Sequence, residues 1–315
     1  MEPAFPSLPP PSGGSDDDHD GRRPRVKPMT LVAAGLWAFG AQLASLWLML
    51  MFHRGEGSEG MTWDPVHAVL AQAAAFLLVI YGIVRVYAPT APMRSVLGFT
   101  PSRRRWIYPL SMVAGVAAIF PVELAYETLL RWVPTEPPSV DPIAVFYTLS
   151  SPERVAIVVC LGAIGPLVEE MLFRGALMTL TLRRHEPTIV IVVTSTVFAL
   201  VHVNLHGFLP YCLLGATLGY LRWTSGSMVP PLLFHMFYNG VPLVQLLLES
   251  GVASEDTSAR TAAATVTPTV AIGGLVVWVA CLAALRFASP GPSAPPRLAE
   301  PPSPGDDPTP PESGP

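Results

Sequence analysis

The chain alternates long oily runs with short polar breaks. Eight runs come near the roughly 20 apolar residues that cross a hydrocarbon core as a helix. They cover about 30–52, 66–88, 106–132, 154–181, 187–205, 208–223, 229–248 and 267–287. Lipid offers no partner for an unpaired backbone group, so each run is expected to be helical. The pattern predicts an all-α fold, a polytopic membrane bundle of about eight transmembrane helices between residues 29 and 288. The fifth and sixth runs are divided only by the turn Asn204-Leu205-His206-Gly207.

The ends of the chain read differently. Residues 1–28 hold 7 prolines and residues 289–315 hold 11, together 18 of the 36 in the chain, with Gly, Ser and Asp around them. Such segments bury too little apolar surface to offset ordering entropy and are expected to be disordered. The first oily run is about 22 residues and lacks a prompt small-residue cleavage site, so it reads as a retained span, not a signal peptide.

Basic residues orient the bundle. With the N-terminus cytoplasmic, the inner side receives Arg22, Arg23, Arg25, Lys27, Arg85, Arg94, Arg103, Arg104, Arg105, Arg183, Arg184, Arg222, Arg286 and Arg297. That is 14 of 19. The outer side receives Arg54, Arg131, Arg154 and Arg260, and Arg174 lies inside a run. This bias follows the positive-inside rule and places both termini in the cytoplasm. Arginine- and proline-rich composition with a single lysine, Lys27, suggests a high-GC bacterial source and hence a bacterial cytoplasmic membrane.

Composition agrees with a membrane protein. Half the residues are hydrophobic and 13% are charged, against about 25% charge in soluble domains. Cys160, Cys212 and Cys281 are far apart in oily runs, which gives neither a disulfide framework nor a thiolate metal site. Nothing points to a nucleic-acid partner, and the expected surroundings are the lipid bilayer.

Three polar sets interrupt the oily runs. The fourth run contains Glu169, Glu170 and Arg174, and each ionisable group near a bilayer centre costs about 2.5–3.5 kcal/mol on insertion scales. Glu170 and Arg174 are four apart and share a helix face, so they can pair. Glu169, turned by about 100°, is left for a cavity. Pro166 removes a backbone donor just before them and is expected to bend the helix. The fifth run holds Phe198 and His202, also four apart, and the seventh holds His235 and Asn239. Gly215 and Gly219 in the sixth run have the small-xxx-small spacing of close helix packing.

A carboxylate and an imidazole can take a proton from water and return it to a leaving amine. A second imidazole and an amide can donate to the oxyanion of a tetrahedral intermediate. The set therefore suits peptide hydrolysis without a serine or cysteine nucleophile. The same atoms of Glu169, His202 and His235 could instead hold Zn²⁺ and activate water through it. The residues alone leave both versions open.

The ordered patterns EExxxR (Glu169, Glu170, Arg174), FxxxH (Phe198, His202) and HxxxN (His235, Asn239) resemble the CPBP family of intramembrane proteases. That family includes type II CAAX prenyl proteases and bacterial relatives linked to bacteriocin processing or immunity. The likeness covers about residues 155–248 and extends to Gly215-Ala-Thr-Leu-Gly219-Tyr220 and Thr224-Ser-Gly226-Ser-Met228. It implies that Glu169 and His202 activate water, that His235 and Asn239 stabilise the oxyanion, and that Glu170 and Arg174 hold the geometry. It also implies a metal-independent, glutamate-type hydrolase with no cofactor.

Blander roles compete for each set. The charged trio could be a structural brace, His202 a satisfied core histidine, and His235 with Asn239 interhelical hydrogen-bond glue. A proton-coupled transporter would use similar groups as a relay, though no internal repeat supports one. A non-catalytic membrane scaffold is the other rival. Glu123, Glu127 and Arg131 read as a self-paired or solvated helix end. His67, Gln72 and Gln42 read as interfacial or interhelical, and Asn204 and His206 as exposed turn residues. One difficulty is depth. At 1.5 Å per residue, His235 lies about 9 Å and His202 about 22 Å from the assumed cytoplasmic ends of their helices. Tilt, bends or displaced helix ends must bring them together.

Overall fold

The computed structural model describes residues 26–52, 64–102, 104–134, 141–251 and 266–288. The two tails expected to be disordered fall almost wholly outside the described residues, as do Arg22, Arg23, Arg25, Arg54, Arg103, Arg260 and Arg297 of the charge argument.

Helices follow the oily runs: α1 (Leu31–Phe52), α2 (Pro65–Tyr87), the short α3 (Met93–Leu97), α4 (Ile107–Trp132), the short α5 (Pro142–Thr148) and α6 (Ser151–Thr181). Then come α7 (Pro187–Val201), α8 (Phe208–Ser225), α9 (Val229–Gly251) and α10 (Pro268–Ala288). The described residues contain no strand. Six helices, α1, α2, α4, α6, α9 and α10, are long and apolar enough to cross a membrane. The remaining two of the eight expected spans are present as helices but fall short of that standard. At 15 residues, α7 is about 22 Å long, less than the roughly 30 Å hydrocarbon core. The protein is an integral membrane helical bundle.

Local chemistry sets several helix ends. Asp64 accepts from Val66 N–H at 2.8 Å and Pro65 supplies a fixed φ at the first turn of α2. Glu153 reaches back to the Ser150 N–H at 2.8 Å to start α6. At the end of α3, Gly98 has φ +77°, and the Arg222 guanidinium lies where any Cβ would project.

The helices pack in two apolar clusters. One joins α1, α2, α3, α6 and α7 through residues such as Phe76, Leu172, Phe173 and Phe198. The other joins α4, α8, α9 and α10 through Leu214, Leu218, Phe234 and Trp278. Tyr211 packs against both. Large apolar side chains such as Leu36, Leu43, Leu78 and Val276 face outward while Glu170 and Arg174 are buried. This inverted pattern fits lipid as the outer solvent. At the α4–α10 contact, Pro121 has no N–H for the Ala117 carbonyl four residues back. The Gly274 backbone comes so close to that carbonyl that a Cβ would sit 2.6 Å from it.

Backbone bonds gather one end of the bundle. Lys27 N–H binds the Tyr87 carbonyl (2.7 Å), Met29 N–H binds Leu180 (3.1 Å) and Met228 N–H binds Gly98 (2.8 Å). The start of α1, the ends of α2, α3 and α6 and the start of α9 therefore lie together. With them come Lys27, Arg85, Arg94, Arg183 and Arg184, as the charge pattern anticipated. The Met228 contact seats the start of α9 against the α3 turn, and with Ser227 and Met228 buried α9 starts recessed within the bundle.

Candidate active site

The site lies on the seam between the clusters and is built first by α6. Two π-turns, Cys160–Ile164 and Met171–Leu177, flank the segment that carries Glu169 and Glu170. Such turns cluster at functional positions because an extra residue redirects the side chains that follow. In the first, the Gly165 N–H reaches back five residues to the Cys160 carbonyl. The Leu161 carbonyl then loses its normal donor, and the next residue, Pro166, has no N–H to give. Asn239 Nδ2 from α9 donates to that carbonyl at 3.4 Å. In the second, Met178 N–H reaches past Arg174 to the Phe173 carbonyl, and Arg222 Nε donates to the Arg174 carbonyl at 3.1 Å. The expected bend at Pro166 is thus taken up as a π-turn whose loose carbonyl is met by another helix.

Glu170 and Arg174 form the buried brace the spacing suggested. Arg174 NH1 donates to Glu170 Oε1 at 2.9 Å and NH2 to the Gly215 carbonyl at 3.0 Å. The guanidinium carbon lies 4.7 Å from the centre of the Phe198 ring, a cation–π contact. Gly215 matters here twice. Its missing side chain lets α8 approach α7, where a Cβ would stand 3.0 Å from Ser195, and its carbonyl receives Arg174.

Phe198 is the hub. Its ring centre lies 4.6 Å from that of His202, 6.1 Å from His235 and 5.2 Å from Phe173. Tyr211 covers the other side of His202 with ring centres 4.6 Å apart. His202 stands at the C-terminal end of α7. Its Nδ1 donates to the Phe198 carbonyl at 2.7 Å, while its backbone N–H shifts to Ala199 at 3.3 Å. The side chain thus competes for the carbonyl that would continue the helix. Val203 follows with φ +49°, so the helix stops at Val201 instead of running to residue 205.

Both histidines present the same nitrogen. A carbonyl can only accept, so His202 Nδ1 carries the proton and Nε2 is the free position. His235 Nδ1 donates to Glu170 Oε1 at 3.0 Å, which leaves its Nε2 3.8 Å from Glu169 Oε2. The other Glu169 oxygen, Oε1, accepts from Gln72 Nε2 on α2 at 3.1 Å. Glu170 is fully buried, whereas the Glu169 side chain keeps 13% of its surface and His202 is exposed. The inner carboxylate is therefore structural in its contacts and the outer one is reachable.

The structure brings Glu169, Glu170, Arg174, Phe198, His202, His235 and Asn239 into one region. Gln72, which the sequence marks only as a lone amide inside an oily run and hence interfacial or interhelical, joins them through Glu169. Tyr211 and the Gly215 carbonyl carried no signal. His206, expected to be exposed, is instead buried, with Nε2 donating to the Val133 carbonyl at 2.6 Å. The reason is an uncapped carbonyl just beyond the end of α4, which the imidazole satisfies. Glu127 pairs with Arg131 at 3.5 Å, as the helix-end reading expected. The zinc version meets a geometric difficulty. Among the described residues no three His, Cys, Asp or Glu side chains converge in a way that could hold a metal ion, so Glu169, His202 and His235 do not form a ready ligand set.

A model of the family described as Type II CAAX prenyl endopeptidase Rce1-like matches residues 151–241. The chain carries a CPBP-family domain. The CPBP match begins at the first residue of α6 and ends in α9 just after Asn239. It therefore contains all seven motif residues and excludes Gln72. The domain is of a CAAX-type intramembrane protease kind. No curated protein and no solved structure matches the chain.

Proposed function

We propose that this chain is an intramembrane endopeptidase that hydrolyses a peptide bond in a membrane-associated protein or peptide. Glu169 takes a proton from water, with His202 Nε2 as the second base of the pair. The resulting hydroxide forms a C–O bond to the scissile carbonyl. His235 and Asn239 donate to the oxyanion, and the proton passes to the departing nitrogen as the C–N bond breaks. Asn239 retains one amide hydrogen beyond that given to Leu161. His235 donates through Nε2 when both its ring nitrogens are protonated. Glu170 and Arg174 hold these groups, and no step passes through a metal. Both termini are cytoplasmic, in a bacterial cytoplasmic membrane.

The observation that carries this reading is the division of labour between adjacent carboxylates. Glu170 is fully buried and its Oε1 is taken by both Arg174 and His235, while Glu169 stays partly exposed and keeps Oε2 toward His235. The test is to compare membrane peptides in cells expressing the wild type and Glu169→Ala at equal levels. Specific precursors should accumulate with the variant, and with His202→Ala. Wild-type turnover of such a precursor by either purified variant would remove the proposed water activation.

A further inference from the structure

We propose that Gln72 is a positioning residue for Glu169, so that α2, outside the matched segment, completes the catalytic site; this rests on the endopeptidase reading. Gln72 sits among Val69, Ala71, Ala73, Ala75 and Phe76, all buried. The amide is the one polar side chain of this stretch of α2, and it spends its Nε2 donor on Glu169 Oε1 at 3.1 Å.

A carboxylate rotates about its last torsion with only a broad two-fold preference. With Oε1 held by Gln72, Oε2 is fixed on the side of His235 Nε2, 3.8 Å away. A neutral donor suits this position because it orients the base without forming an ion pair with it. The other charged or titratable groups around Glu169 are Glu170 and Arg174 on α6, His235 on α9, Tyr211 on α8, and His202 on α7, whose ring packs on the same Phe198 as that of His235. Glu170 Oε1 is occupied by Arg174 NH1 and His235 Nδ1. Gln72 is accordingly the donor that decides which Glu169 oxygen meets the water.

The test uses the full chain in lipid nanodiscs, with three variants: Gln72→Met, Gln72→His and Glu169→Gln. The infrared carboxylate band that disappears in Glu169→Gln is assigned to Glu169. It should shift in Gln72→Met, which keeps size but loses the donor, and return in Gln72→His, which restores an N–H. With a fluorophore-quencher version of the peptide that accumulates in Glu169→Ala membranes, Gln72→Met should lower kcat about 10²-fold, as a displaced reacting group does. KM should stay unchanged, and Gln72→His should recover much of the rate. Adding Gln72→Met to Glu169→Gln should cost nothing further. An unmoved band in Gln72→Met, or a moved band with full kcat, would overturn the positioning role. Full turnover by Glu169→Gln would instead remove the endopeptidase role of Glu169, a result the band shift does not depend on.

Discussion

Asn239 on α9 donates its side-chain amide to the Leu161 carbonyl on α6, a carbonyl that the π-turn and Pro166 together deprive of its helical donors. The residue expected to act on an oxyanion therefore also ties two helices together. Nearby, Gly162 and Gly240 pack so closely that a Cβ on Gly162 would stand 3.2 Å from the Gly240 Cα. Asn239→Ala should thus show two effects. Thermal unfolding in detergent should report a loss of about 1 kcal/mol for the unmade bond, and kcat should fall about 10²–10³-fold for the lost donor. A drop in stability alone would restrict Asn239 to the helix contact.

The Glu170–Arg174 pair is buried on both sides and shared with His235 and Gly215. Removing one partner leaves a buried charge, which costs about 3–5 kcal/mol. Arg174→Met should therefore reduce the yield of folded protein sharply, and Glu170→Met should do the same. The double variant Glu170→Met/Arg174→Met should be more stable than either single one, because no unpaired charge remains. Arg174→Lys should not substitute, since one ammonium cannot span both acceptors with the planar fork of arginine. Unfolding midpoints of the four proteins give the coupling energy directly.

Val203 sits in the left-handed region at φ +49° and is 85% exposed, so its strain is offset by no burial of its own. That conformation costs a branched residue about 1–2 kcal/mol. Val203→Asn, which tolerates it, should raise stability by about 1 kcal/mol in thermal unfolding. If His202 depends only on its Phe198 bond for orientation, kcat should be unchanged in the same variant.

Much of the bundle was legible because lipid simplifies the rules: oily runs of spanning length map onto α1, α2, α4, α6, α9 and α10. The three motifs were legible because buried charge in lipid needs a reason. Helix ends were less so. The end of α7 is set by a side-chain bond from His202 to its own helix, which no hydropathy pattern encodes, and the recessed start of α9 depends on the turn after α3. Gln72 was seen as polar but not as a partner of Glu169, since the two are 97 residues apart. His206 reads as exposed because a short turn says nothing about a distant carbonyl such as that of Val133.

Metal removal separates the two chemistries left open by the residue types. His235 has the carboxylate contact on Nδ1 that often supports a zinc ligand, yet among the described residues no three such side chains converge on one point. Purified protein should contain substoichiometric zinc by elemental analysis. Cleavage should survive prolonged chelator treatment, and added zinc should not accelerate it. A stoichiometric metal whose removal abolishes turnover would restore the zinc version.

His202 carries two separable tasks, a helix-ending bond through Nδ1 and a free Nε2, and the choice of replacement tells them apart. In His202→Asn, Nδ2 lies near the place of the imidazole Nδ1 and can still donate to Phe198. The variant should therefore unfold within about 0.5 kcal/mol of wild type, while losing Nε2 should lower kcat by about 10²–10⁴-fold. His202→Ala loses both tasks and should also be less stable by about 1 kcal/mol. Should His202→Asn retain full kcat, the imidazole would serve only to end α7, and water activation would fall to Glu169 alone.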